Sequence, residues 1–157
     1  MQTAAATCQR RGVTTVELAL VAPILIFLLF GIIEFGVLVR DLVGVNTVAR
    51  EGARAAAVGS TPETVLARIA AAAPAMDPAL FGPTLEFRSL DPVTGAWSDW
   101  QVLGSDGTAN TAGSGDQIRV SVTYPHELVM GPMFSFLADE GSDGVVTLRA
   151  SIIMRRE

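Results

Sequence analysis

The sequence predicts an α+β protein. A long N-terminal helix would cross a membrane and continue into a small exported domain built from a second helix and an antiparallel sheet. Three observations carry this. Leu18 to Ile33 holds no charged residue, and the apolar run resumes past Glu34 as far as Val39. Those 22 residues would span about 33 Å as a helix, close to the hydrocarbon thickness of a bilayer. From Arg40 to Val58 small and apolar residues recur at helical spacing, and from Thr84 onward the period switches to alternation. The chain therefore divides into a cytoplasmic leader (1–12), the membrane half of a long helix (13–39), its exported half (40–58) and an exported α+β domain (60–157).

Residues 1–9 are small and polar and are expected to lack regular structure. From Val13 one helix can run to about Val58, roughly 69 Å, with a kink expected near Pro23, where a backbone hydrogen bond is lost. A cleaved secretory signal fits poorly, because its apolar core would be shorter and would end at a small-x-small site. The only cysteine, Cys8, precedes the apolar run, which argues against a lipoprotein signal. Arg10 and Arg11 flank the N-terminal end of the span, and the leader holds no acid. That bias favours the N-terminus inside and the domain outside.

In the exported half of the helix, Leu42, Val45, Ala49, Gly52, Ala53 and Ala56 form an inward stripe, and Gly59 supplies a left-handed stop. Thr61-Pro62-Glu63 starts a second helix with a hydroxyl cap, a first-turn proline and an early acid, running to about Ala73. Leu85, Phe87 and Ser89 share one face of a first strand, and Trp97 to Leu103 is the expected second. Gly104 to Asp116 reads as a loop. Ile118, Val120, Val122 and Tyr124 alternate, as do Val146, Leu148, Ala150, Ile152 and Met154. Between them, Leu128 to Ala138 reads as a buried loop or short helix.

Sixteen acids and eleven arginines, with no lysine, leave a net charge of −5; without residues 1–12 the balance is −7. An acidic exported domain excludes nucleic acid as the expected partner, since phosphate neutralisation needs a basic face. One cysteine leaves the exported part without a disulfide, so packing must hold it.

Arg10-Arg11-Gly12-Val13-Thr14-Thr15-Val16-Glu17 sets a carboxylate at the mouth of the span. Glu17 would cost about 2–4 kcal/mol deep in the bilayer, less at its interface. Cleavage after Gly12 would leave an α-ammonium on Val13, one helical turn from Glu17. The two could pair within one subunit. Between subunits, one amine could neutralise its neighbour's carboxylate and set the axial register of packed helices.

This arrangement resembles a type IV prepilin. Thr15 to Pro23 and Ala49-Arg50-Glu51-Gly52-Ala53-Arg54-Ala55 resemble the TadE-like family of tight-adherence (Flp) pilus pseudopilins, and Arg149 to Glu157 is similar to family C-termini. The specific resemblance covers about residues 10–58. It implies a type IV pilin-like fold, cutting after Gly12 by a prepilin peptidase, and a minor pilin or assembly component that meets other pilin subunits and the assembly machinery. The location implied is the bacterial inner membrane, with incorporation into an external pilus. Leu18 stands where major Flp pilins carry an aromatic residue, and the exported domain is larger than theirs; both favour a minor pseudopilin. By the same resemblance, Glu34, Arg50, Glu51 and Arg54 are candidate subunit contacts.

Taken alone, Arg50, Glu51 and Arg54 read as a solvated or salt-bridged helix face, Glu34 as a helix–helix contact or interfacial group, and the lone His126 as structural. Trp97 and Trp100, three apart in an expected strand, should face opposite sides. Asp106, Asp116 and Asp143 lack the spacing of a calcium loop. No cofactor, metal or catalytic set is expected, and the chain does not read as an enzyme. The alternative is an unprocessed single-pass protein whose exported domain binds a ligand or partner.

Overall fold

Helix α1, Ala4–Ala57, carries the N-terminal third of the chain and continues through Pro23. The computed structural model describes the backbone of residues 4–142 and 144–157, and side chains from Thr14 onward except at Pro132 and Asp143. The helix starts at Ala4, not near Val13, so the expected irregular leader is corrected over residues 4–9. Ala4, Ala5 and Ala6 are strong helix formers that add to an existing helix at little entropic cost. Two compact units divide the chain, Met1–Val37 and Leu38–Glu157.

In the first unit, apolar side chains are exposed all round the helix. Leu18, Leu20, Ile24, Leu28, Ile32 and Phe35 are each half or more exposed. A helix apolar on every side needs an apolar solvent. Thr14–Ala57 is the one described helix long and apolar enough to cross a membrane, consistent with a single span. Glu34 is the polar exception, only 1% exposed.

In the second unit, α1 buries Asp41, Val45, Val48, Ala49, Gly52, Ala53 and Ala56. Leu42, expected in that stripe, is instead exposed, and Val48 takes the inward place, because the observed stripe follows the i, i+4, i+7 spacing set by Asp41 and Val45. Gly59 ends the helix at φ +90°, with its N–H donating to the Ala56 carbonyl and that of Ser60 to Ala55. Such a left-handed stop strongly favours glycine. Helix α2, Pro62–Ala71, begins where Thr61 Oγ1 accepts from the Thr64 N–H, and it turns Val65 and Ile69 inward.

Four antiparallel strands follow: β1 (Gly82–Arg88), β2 (Gln101–Val102), β3 (Gln117–Glu127) and β4 (Val145–Arg155), in the spatial order β2-β1-β3-β4. The short helix α3, Gly131–Phe134, and a 3-10 turn, Ser135–Leu137, join β3 to β4. Val120 pairs with Leu85 on one side and Ile152 on the other. One sheet face, including Leu85, Phe87, Ile118, Val120, Val122, Leu148 and Ala150, packs with Val45, Val48, Ala53, Val65 and Ile69 in a single core.

The second strand is shorter than the expected Trp97–Leu103. Asp91 Oδ1 accepts from the N–H groups of Val93 and Thr94, and Gly95 sits at φ +67°, so residues 91–96 form a tight turn. Only a Leu90–Trp97 bridge precedes the Gln101–Val102 pairing.

The last carbonyls of α1 are satisfied from far along the chain. Asn110 Nδ2 donates to the carbonyls of Ala56 (2.8 Å) and Ser60 (3.0 Å), and the Glu157 N–H donates to Ala57 (3.0 Å). The 104–116 loop and the C-terminus are thus fastened to the end of the helix, where unpaired carbonyls would otherwise face a packed surface.

Candidate functional site

At the head of the span the helix backbone runs through Gly12 and Val13; the Val13 side chain lies outside those described. Glu17 is exposed, four residues or about one helical turn after Val13.

In the second unit, the Ala49–Ala55 segment separates two jobs. Ala49, Gly52 and Ala53 are buried, while Arg50 and Arg54 are exposed and Glu51 is half-buried. At Gly52 a Cβ would sit 2.7 Å from Ile69 Cγ1 and 3.2 Å from Val120 Cγ1, so glycine there lets α1, α2 and β3 meet closely. The outward side borders a cleft of about 340 Å³ whose lining includes Glu51, Arg54, Ser60 and Arg68. Neither Arg54 nor Arg68 has an ion pair among the described residues.

Asp41 and His126 form a second polar centre. His126 Nδ1 lies 2.8 Å from Asp41 Oδ2, with side-chain exposures of 4% and 8%. Arg40, largely exposed, donates to Asp41 Oδ1 from Nε at 2.9 Å. The Nε2 of His126 is buried without a hydrogen-bond partner among the described residues. Sequence reasoning took His126 as structural but missed its partner. The signal was available: Asp41 falls on the same inward spacing as Val45 and Ala49, and an acid so placed needs a buried partner.

The outer sheet face carries the third group. The Arg88 guanidinium carbon lies 5.1 Å from the Trp97 ring centre and 4.6 Å from that of Trp100, and Arg119 lies 4.1 Å from Trp100. Glu86 accepts from Arg119 Nε at 2.8 Å, and Gln117 accepts from Arg88 Nε at 2.9 Å. Trp97 and Trp100 therefore gather around one arginine instead of facing opposite sides. The reason is that residues 97–100 are not a regular strand, so the alternation rule does not reach them. Here the indoles cover the outside of the sheet.

Three exposed carboxylates are held below the usual aspartate range by local donors: Asp106 by the N–H groups of Ala109 and Thr108 and the Thr108 hydroxyl, Asp91 by Val93 and Thr94, and Asp139 by Thr147. Asp106 and Asp91 brace turns, and Asp139 ties its turn to the start of β4. No group of three or more metal-ligating side chains occurs among the described residues.

A single apolar helix continuing into a helix-backed antiparallel sheet is a pilin-like α+β arrangement. Residues 12–54 match the family model of TadE-like proteins, a Tad pilus-associated family and not an enzyme family. No curated protein and no solved structure matches the chain. The matched segment includes Gly12, Glu17, Glu34, Asp41 and the Ala49–Arg54 stretch.

Proposed function

We propose that the chain is a minor pilin or pseudopilin of a tight-adherence pilus, cut after Gly12 by a prepilin peptidase and taking part in pilus assembly or adhesion. The observation that carries this reading is Glu17, exposed at the head of an all-round apolar helix and one turn from Val13, within the segment that matches the TadE-like family. The new Val13 amine would neutralise Glu17 of a neighbouring subunit, lowering the cost of a carboxylate near lipid and fixing helix register. The chain would sit in the bacterial inner membrane with its N-terminus inside and the sheet domain outside. Arg50 and Arg54, exposed, and Glu51, half-buried, are accessible to a neighbouring subunit; the buried Glu34 would meet one only after rearrangement.

N-terminal sequencing from cells with and without the peptidase tests processing. The expected mature chain begins at Val13, and only when the peptidase is present. Gly12→Ala should block the cut, while Glu17→Ala should leave the cut intact and impair incorporation into pili. An uncut working form in normal cells would favour the unprocessed binding-module alternative, and normal assembly of Glu17→Ala would remove the charge-pair mechanism.

A further inference from the structure

The Leu38–Glu157 unit is acidic as a whole, with nine arginines against 14 acids. Two of those arginines, Arg54 on α1 and Arg68 on α2, are exposed on the cleft near the end of α1 without an ion pair among the described residues. Glu51 lines the same cleft, so two guanidinium groups face one carboxylate. Ser60 adds a hydroxyl to the lining. The cleft is a locally basic concavity on an acidic body.

Its complement lies at the other end of the same unit. The Asp41–His126 contact sets the end of β3 beside the second-unit half of α1. There Glu127 pairs with Val145, the Asp139 N–H donates to the Val145 carbonyl at 2.9 Å, and Asp139 Oδ2 accepts from the Thr147 N–H at 2.7 Å. Glu140 projects next to this fastened turn, exposed and with no ion pair among the described residues. Arg54 lies thirteen positions after Asp41 on the helix, an axial offset of about 20 Å.

We propose that the Arg54–Arg68 cleft receives the Asp139–Glu140 turn of a second copy of this chain. The two surfaces differ and lie at opposite ends of the unit, so the contact is head-to-tail and can repeat without closing. It rests on the reading of the chain as an assembly subunit, and it names the partner surface. Guanidinium forks suit carboxylates by geometry as well as charge, and the tethered turn presents its acid with little ordering left to do.

The test uses the chain purified in detergent micelles from cells that carry the prepilin peptidase, followed by sedimentation velocity at low and high salt. The wild-type chain should form oligomers beyond the dimer that weaken as salt rises. Arg54→Glu with Arg68→Glu, and separately Glu140→Arg, should each weaken association by about tenfold or more, since like charges then meet. An equimolar mixture of the two variants should regain association, because the intact turn of one fits the intact cleft of the other and the two reversed surfaces are again of opposite charge. If the charge-reversed cleft lowers the unfolding midpoint, Arg54→Gln with Arg68→Gln replaces it.

A wild-type chain that stays monomeric would overturn the proposal, as would folded variants that associate like wild type or a mixture that stays dissociated. N-terminal sequencing of the same samples separates the two readings. A chain cut after Gly12 that fails to associate sinks only this contact, whereas an uncut chain that associates through it sinks only the processing step.

Discussion

Asp41 and His126 meet at 2.8 Å across 85 residues of sequence, joining the second-unit half of α1 to the far end of β3. Both side chains are buried, and Arg40 closes the second carboxylate oxygen from the solvent side. This contact fixes which end of the sheet lies beside which end of the helix. Breaking a buried polar pair of this kind from one side leaves the other group buried without its counterpart, which costs more than replacing both by apolar groups.

Removing one partner should therefore cost more than removing both. His126→Leu leaves the buried Asp41 carboxylate with Arg40 alone and should destabilise the folded unit by about 1–3 kcal/mol. Asp41→Leu with His126→Leu should cost less than the sum of the single changes. Thermal unfolding of the four chains in detergent provides the cycle, and strict additivity would show that the pair is not coupled.

At Gly52 two helices and the sheet approach closely. Gly52→Val should destabilise by about 1–3 kcal/mol through overpacking against Ile69 and Val120. Gly52→Ala should also destabilise, because its Cβ alone crowds the buried Ile69 Cγ1, but by less than valine, since alanine adds fewer atoms and gains helix propensity. In the Gly52→Val background, Ile69→Ala should cost less than it does in the wild type, as denaturant midpoints would reveal.

Trp100 stacks with both Arg88 and Arg119 and so holds the 89–100 segment on the outside of the sheet. Trp100→Ala should lose about 0.5–1 kcal/mol per exposed stacking contact. The loss should be local. Hydrogen exchange should speed up at Ala96 and Ser98, whose N–H groups bond within this segment, while Val120 and Val122 keep their protection. Equal loss across β3 would show that the ladder supports the whole domain.

Asp106 offers a pH test. Its carboxyl is held below the ordinary value of 3.8 by the N–H groups of Ala109 and Thr108, so the folded loop favours the ionised form. The contribution is present above that ordinary value and is lost as pH falls through the lower folded value. Amide shifts of Thr108 and Ala109 should titrate with a midpoint below 3.8. Asp106→Asn should abolish that transition, and a midpoint at or above the ordinary value would contradict the bonding.

Much of this architecture was legible because it is local. Twenty-two residues of near-continuous apolar sequence, the Thr61-Pro62 cap, the Gly59 stop and the alternation of β3 and β4 each follow from neighbours a few positions away. The inward stripe of α1 was read nearly correctly, with Leu42 named where Val48 is buried, since a repeat of 3.6 blurs over five turns. The second strand was read too long because alternation cannot register the side-chain bonds of Asp91 that curl the chain first. Glu17 stood out because an acid at the head of a span is costly if it enters lipid, and Gly12 because it lies five positions before that acid.

By itself the sequence determined that a membrane-length helix leads into a helix-and-sheet domain, since periodicity, caps and hydropathy act over one or two turns. Only tertiary structure decided that Asp41 would find His126, that Asn110 and the C-terminus would close the end of α1, and that two tryptophans would gather on one arginine. Those contacts join residues up to about a hundred positions apart. Their energies depend on burial and geometry that exist only after the chain has packed.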